Sequence, residues 1–99
     1  MRGNATSNRR LNSIMTTTEQ MAREINGFFK AIGEAELDIP KPEEWSSELD
    51  LVRRIREQYK ERLLKKMPRY RSLPDEAIPD MFLVALSKQE RELRSKASS

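Results

Sequence analysis

The longest helical pattern in the chain runs from Trp45 to Met67, and it decides what kind of fold is available. Seven apolar residues recur there at steps of three or four, which places them on one side of an α-helix: Trp45, Leu49, Val52, Ile55, Tyr59, Leu63 and Met67. Pro68 then ends the pattern, because proline has no N–H to donate. The spacing predicts a helix over 45–67, about 34 Å long if it is continuous. Ser46 or Ser47 offers an alternative N-cap, which leaves Trp45 just before the helix.

Two further helical patterns flank this one. The first begins at a run of threonines over 16–18, which are good N-cap residues, and ends at Gly33. Pro40 and Pro42 prevent regular helix before the second pattern, and Pro79 precedes the third. The sequence therefore predicts an all-α fold, a small three-helix bundle of orthogonal or up-down arrangement with helices near 18–33, 45–67 and 80–96. Glycine and β-branched residues are scarce, which argues against strands.

The chain is short enough for one domain at most. Residues 1–14 contain three arginines and no acidic residue. We expect them to form a disordered basic tail, or an upstream extension if Met15 is the start, followed by a single helical domain over 15–99. The apolar faces of the three helices predict a core that contains Met21, Ile25, Phe28, Ile32, Val52, Ile55, Leu63, Phe82, Ala85 and Leu86.

Charge is divided unevenly along the chain. Residues 53–71 hold nine basic and two acidic side chains, a net charge of +7, whereas residues 15–52 sum to −6. We call the nine basic residues the basic strip: Arg53, Arg54, Arg56, Lys60, Arg62, Lys65, Lys66, Arg69 and Arg71. Such a strip attracts an acidic protein surface, including that of a second copy, or the phosphates of a nucleic acid.

Arg56 and Lys66 fall inside the apolar arc of the second helix. We interpret them as long side chains whose aliphatic stems pack at the edge of the core while their charges reach water. The alternative is that this face is not wholly buried and that Arg56 meets a carboxylate from the acidic connection or from a partner.

Several function classes are disfavoured by composition. The chain has no His and no Cys, so the commonest general base, the commonest metal ligand and every thiolate site are missing. Acidic residues cluster where helices start, where the helix dipole stabilises them. We expect no catalysis, no cofactor, no metal and no small-molecule substrate. The longest apolar run, Met81 to Leu86, is too short for a membrane span, and with no signal-peptide core evident we expect a cytoplasmic, intracellular protein.

That apolar run nevertheless suggests a binding surface. Leu83 and Val84 lie outside the main face of the third helix, and Phe29 lies at the edge of the first apolar stripe. We expect these three residues to form an exposed patch on which a protein partner docks. The alternative is that the third helix is touched on two sides, which buries part of the run. The predicted function is a non-enzymatic accessory or regulatory protein that binds a protein partner or itself; the rival is a nucleic-acid-binding protein that uses the basic strip.

Overall fold

The first helix shows how closely local signals set its ends. The computed structural model describes residues 15–98, and α1 spans Thr17–Ala31. The Thr16 hydroxyl accepts the Glu19 N–H at 3.1 Å, and the Glu19 carboxylate accepts the Thr16 N–H at 2.8 Å. After the helix Gly33 takes a left-handed φ of +77°, and the next N–H reaches a carbonyl five residues earlier at 2.8 Å. The predicted cap and stop are confirmed, because these bonds satisfy the terminal backbone groups.

The second helix, α2, spans Glu48–Lys66 and starts three residues later than the apolar stripe predicts. Ser47 is its N-cap, and the Ser47 hydroxyl accepts the Asp50 N–H at 3.1 Å. Trp45 precedes the helix with extended backbone and packs partly buried against the core. The continuous helix from Trp45 is therefore wrong, and the later start is right, because the 3₁₀ turn Pro42–Glu44 and the serine cap occupy these positions.

The third helix, α3, spans Met81–Ser98, and Asp80 caps it. The Asp80 carboxylate accepts the Leu83 N–H at 3.0 Å, which satisfies a free donor of the first turn. The Tyr59 hydroxyl of α2 donates to the same carboxylate at 2.7 Å, so the start of α3 is tied to the middle of α2. Two short 3₁₀ turns lie in the connection before the helix, Pro68–Ser72 and Asp75–Ala77.

The helices form a small all-α bundle, and residues 15–98 contain no strand, so the predicted fold class is confirmed. Helix α3 packs most extensively on α2, and α1 contacts both. The Glu48 carboxylate accepts the Thr18 N–H at 3.0 Å and the Gln89 amide N–H at 3.3 Å, which joins all three helices. Helix α3 is thus touched on two sides. The predicted tail over 1–14 lies outside the described residues.

The connection between α1 and α2 is held by two amide side chains, Asn26 and Gln58, which we call the amide pair. Asn26 of α1 donates to the Leu37 carbonyl at 3.0 Å and accepts the Leu37 N–H at 2.6 Å. Gln58 of α2 makes the same two bonds with Asp38, at 2.6 and 2.9 Å. These bonds replace the backbone pairing that an extended segment finds in a sheet. They fix the path of the connection and bury the Leu37 side chain.

The observed core differs from the expected one because α1 and α3 bury fewer of their apolar residues. Four of the ten expected residues are buried, and three more are partly buried against them. Three are exposed, and their assignment to the core is wrong: Phe28, Ile32 and Ala85. Helices α1 and α3 each bury a narrower face than their apolar patterns predict. Seven residues outside that list of ten complete the core, and one of them, Tyr59, lies on the predicted apolar side of the second helix: Ala22, Phe29, Leu37, Leu51, Tyr59, Ile78 and Leu83.

Candidate protein-docking surface

The basic strip does not form one surface. Arg56 reaches into the seam between α2 and α3, where its Nη1 lies 2.9 Å from Glu90, its Nε donates to Ser87 at 3.2 Å and its Nη2 pairs with Asp75. The side chain is only 20% exposed. The interpretation that the charge of Arg56 reaches water is therefore wrong, and the alternative that Arg56 meets a carboxylate is right. The carboxylates come from α3 and the turn before it, however, and not from the acidic connection.

Two other basic residues of α2 join this cluster. Arg53 Nε lies 3.1 Å from the Glu90 carboxylate, and Lys60 Nζ lies 3.0 Å from that of Asp75. We call these side chains the seam network: Arg53, Arg56, Lys60, Asp75 and Glu90. The three cations and two carboxylates of this network are paired within the fold, and they hold α3 and its preceding turn on α2.

Near the end of α2, two basic residues turn towards α1 instead. Arg62 Nη2 donates to the Ala35 carbonyl at 2.6 Å and lies 3.6 Å from the Glu34 carboxylate. The Arg62 guanidinium carbon lies 4.4 Å from the centre of the Phe29 ring, a cation–π arrangement. Lys66 pairs with the same Glu34 and remains half exposed. One carboxylate thus faces two cations.

Arg54 is paired within its own helix. Its Nε lies 3.2 Å from the carboxylate of Asp50, four residues earlier. A hydrogen bond of 3.0 Å from the Ser46 N–H, together with Arg54, lowers the pKa of the Asp50 carboxyl below its usual value. This part of the strip stabilises the start of α2.

Lys65, Arg69 and Arg71 differ from the rest of the strip. All three are exposed, and none forms a salt bridge with any residue of the described range 15–98. The Arg69 guanidinium lies 5.5 Å from the centre of the Tyr70 ring. With Arg62 and Lys66 they form what we call the basic end: Arg62, Lys65, Lys66, Arg69 and Arg71. Within the basic strip, the cations without a salt bridge therefore lie at the end of α2 and just after it.

The predicted apolar patch is not a surface. Leu83 is 1% exposed and Phe29 is 6% exposed, so their assignment to a docking patch is wrong. Leu83 is buried because α1 and α2 both contact α3, and Phe29 is buried because it stacks on Tyr59, with ring centres 6.0 Å apart, beneath Arg62. Val84 is 51% exposed. It lies on the outward side of α3 with two other exposed residues, Met81 and Ala85.

A different apolar surface, which we call the α1 groove, lies where α1 passes the second half of α2. Phe28 of α1 and Ile32, the C-cap residue of that helix, stand one turn apart, and each is 49% exposed. Leu63 of α2 and the rings of Phe29 and Tyr59 complete an apolar groove of about 220 Å³. The groove is open to solvent along the exposed flank of α1.

The two ends of the α1 groove differ in charge. Asp80 lines one end, where its carboxylate accepts the Tyr59 hydroxyl. Burial and this carboxylate raise the pKa of Tyr59 well above its usual value, so the hydroxyl remains a donor. Lys66, Arg62 and Glu34 line the other end, about two turns further along α2.

Sequence reasoning missed this groove because Phe28 and Ile32 fit the same helical stripe as Ile25. A signal was nevertheless present. Phe28 and Phe29 are consecutive, and consecutive helical residues point about 100° apart, so a narrow buried face accommodates only one of the two rings. The partners of the basic residues were also missed, since Asp75 and Glu90 are far from α2 in sequence.

Comparison with known proteins offers no guide to function. Family models, curated proteins and solved structures give no match to this chain. Within residues 15–98 no three acidic, histidine or cysteine side chains gather as a metal site. None of the helices over the same residues is long and apolar enough to cross a membrane. Function is therefore inferred from the α1 groove and the basic end.

Proposed function

We propose that this protein is a small helical binding protein, an accessory or regulatory subunit without catalytic activity, that docks on a protein partner through the α1 groove. The observation that carries the proposal is the exposure of Phe28 and Ile32. Each leaves about half of a large apolar side chain in solvent, and the two are neighbours on one helix face. Adjacent exposed apolar side chains in a concave setting are typical of protein-binding sites.

The size of the groove favours a protein partner over a small molecule. Drug-sized ligands usually occupy pockets of roughly 300–1,000 Å³ that bury most of the ligand. The α1 groove has about 220 Å³ and is open along one side. An apolar cavity of about 150 Å³ accommodates benzene, so this groove has room for one or two side chains from a partner.

The outward side of α3 is a weaker candidate for the same role. Met81 and Val84 are exposed there, but this side of the helix becomes charged one turn beyond Val84, at Lys88, and again one turn later, at Glu92. The cavity beside Val84 is about 110 Å³, half the size of the α1 groove, and its other lining residues are polar or charged: Asp75, Glu76, Ser87 and Arg91. An apolar anchor side chain is therefore accommodated less well there than in the α1 groove. Val84 therefore serves as the matched control for the groove residues.

Nucleic-acid binding remains the rival function, and the pairing of the basic strip makes its expected strength small. If the basic strip alone carries the binding, its three cations free of salt bridges are Lys65, Arg69 and Arg71, and binding to duplex DNA would weaken only about 40-fold between roughly 0.05 and 0.2 M salt. Nine free cations would give about 10⁵-fold. A titration of labelled DNA and RNA over this range measures how many phosphates are contacted, and a loss near 10⁵-fold would favour the rival.

The docking proposal is tested by a photo-crosslinking amino acid placed in the full chain, at position 28 in one version and at position 84 in the other. Both positions are about half exposed, so random collisions label them equally. In cells that make this chain, we expect a discrete protein adduct from position 28 that is absent from position 84. Ile32→Asp in the position 28 version should remove the adduct.

The outcomes separate the candidates. An adduct of twice the chain mass identifies a second copy as the partner, and an adduct sensitive to nuclease identifies nucleic acid and contradicts the proposal. Equal labelling from positions 28 and 84, or no adduct from position 28, also contradicts it.

A further inference from the structure

We infer that the occupant of the α1 groove is an acidic amphipathic helix of a partner protein, which inserts an apolar side chain beside Phe28 and Ile32 and places a carboxylate at Lys66. This inference rests on the proposed function and adds the chemistry of the partner. Its grounds are the charge balance at the basic end and the shape of the groove.

The basic end is short of negative charge. Glu34 is the only carboxylate of residues 15–98 in a salt bridge with Arg62 or Lys66, so one negative charge serves two positive ones there. Lys65 and Arg69 add two cations without salt bridges in the same range. With Arg71 included, the basic end holds five positive charges against Glu34 and the exposed Glu61, a net charge of +3. A carboxylate brought there by a partner reduces this imbalance.

The opposite end of the groove determines which way the bound helix points. Asp80 accepts hydrogen bonds from Tyr59 and from the Leu83 N–H, and these bonds fix its carboxylate in place. A second carboxylate near Asp80 is repelled, whereas one near Lys66 is attracted. The acidic residues of the occupant therefore lie towards the C-terminal end of α2.

A helix fits the groove better than other peptide conformations do. Residues 15–98 contain no strand, so they offer no sheet edge to which an extended peptide adds. The groove runs between two helices, and Phe28 and Ile32 form an i, i+4 ridge on one of them. Ridges of this spacing pack into the grooves between the ridges of another helix. Insertion of an apolar helix face into such a groove is a common mode of recognition.

The test is a selection of random 16-residue peptides displayed on phage. The full chain is the bait, and the Ile32→Asp variant depletes peptides that bind elsewhere. We expect the enriched peptides to carry apolar residues three or four positions apart and a net negative charge. The best peptide is then synthesised with a fluorescent label, and its affinity is measured by anisotropy.

Two matched pairs of variants test which residues contribute to that affinity. Ile32→Asp should weaken binding at least about 30-fold, whereas Val84→Asp, at similar exposure on α3, should change it less than about 2-fold. Lys66→Gln should weaken binding about 3-fold and Lys66→Glu about 10-fold, whereas Lys88→Glu on the outward side of α3 should have little effect. Circular dichroism confirms that each variant retains its helix content.

The inference and the proposed function fail in different ways. Enriched peptides that depend on Ile32 but are neutral or basic, or that ignore Lys66→Glu, overturn the acidic partner and leave groove docking in place. A selection with no peptide dependent on Ile32 overturns both.

Discussion

The α2–α3 seam and the α1 groove use two sides of the same helix in opposite ways. In the seam, Arg56 and Glu90 are largely buried, with side chains 20% and 12% exposed, and their charges are paired. In the groove, Phe28 and Ile32 are half exposed. The seam thus satisfies its polar groups within the fold, whereas the groove leaves apolar surface in water.

This contrast changes what the charge of the sequence means. The strip 53–71 carries nine basic residues, but the seam network and the contacts with Glu34 and Asp50 occupy six of them. Net charge along a sequence therefore overstates the charge that a partner meets. An apolar side chain that is half exposed, such as Phe28, still has apolar area in water after its contact with the ring of Phe82. It therefore indicates more directly where a second molecule binds.

The largest expected effect compares two neighbouring phenylalanines. Phe29→Ala should lower the free energy of unfolding by about 3–4 kcal/mol, because it empties a buried site beneath Arg62. Phe28→Ala should lower it by about 1 kcal/mol, since half of that ring is already in water. Urea denaturation followed by circular dichroism measures both. Equal losses would mean that Phe28 is buried in solution and that the groove is closed.

A smaller effect compares two arginines of α2. Arg56→Ala should cost about 2–3 kcal/mol, because it leaves the carboxylates of Asp75 and Glu90 without their main partner in a partly buried seam. Arg54→Ala should cost less than about 0.5 kcal/mol, because its pair with Asp50 is exposed. The same denaturation experiment applies. Equally small losses would show that the seam cations are solvated and available to a partner, which would strengthen the nucleic-acid rival.

The smallest expected effect is the contribution of Asp50 to the pH dependence of stability. Its pKa is lower in the folded chain than in the unfolded one, mainly because it accepts the Ser46 N–H and then because of Arg54. The unfolded chain therefore binds more protons than the folded one as pH falls below about 4. The contribution of Asp50 to the free energy of unfolding is complete above the pKa of the unfolded chain, and it is lost as pH falls through the pKa of the folded chain. Asp50→Asn should flatten the fall of the urea midpoint between pH 5 and pH 2 more than Glu43→Gln does. A steeper fall in the Asp50 variant would contradict the sign.

The helix ends could be predicted because they depend on local signals. Which residues are exposed could not be predicted, because exposure depends on contacts between residues far apart in the sequence. Gly33 and Pro68 act through their own backbone, so their effect is readable from one position. The burial of Leu83 depends on α1 crossing α3, which no spacing within α3 reveals. Arg56 likewise pairs with Glu90 across 34 positions.

The same limit explains the errors at the docking surface. The periodicity of α1 correctly identified the apolar side of the helix, but how much of that side is covered depends on where α2 and α3 lie. Phe29 falls under α2 and Phe28 does not. The sequence therefore predicted an exposed apolar patch that includes Phe29, and the fold was needed to show that Phe28 is the exposed one of these two adjacent residues.

The amide pair limits where this chain can gain or lose residues. Asn26 on α1 and Gln58 on α2 hold Leu37 and Asp38, whose Cα atoms are about 3.8 Å apart because the residues are adjacent. Residues added before Leu37 or after Asp38 only lengthen loops that are mostly exposed. A residue inserted between Leu37 and Asp38 separates the two, so the backbone of one of them moves away from the Asn26 or Gln58 side chain that binds it. Length variants of this protein should therefore carry their insertions on either side of that single peptide bond and not at it.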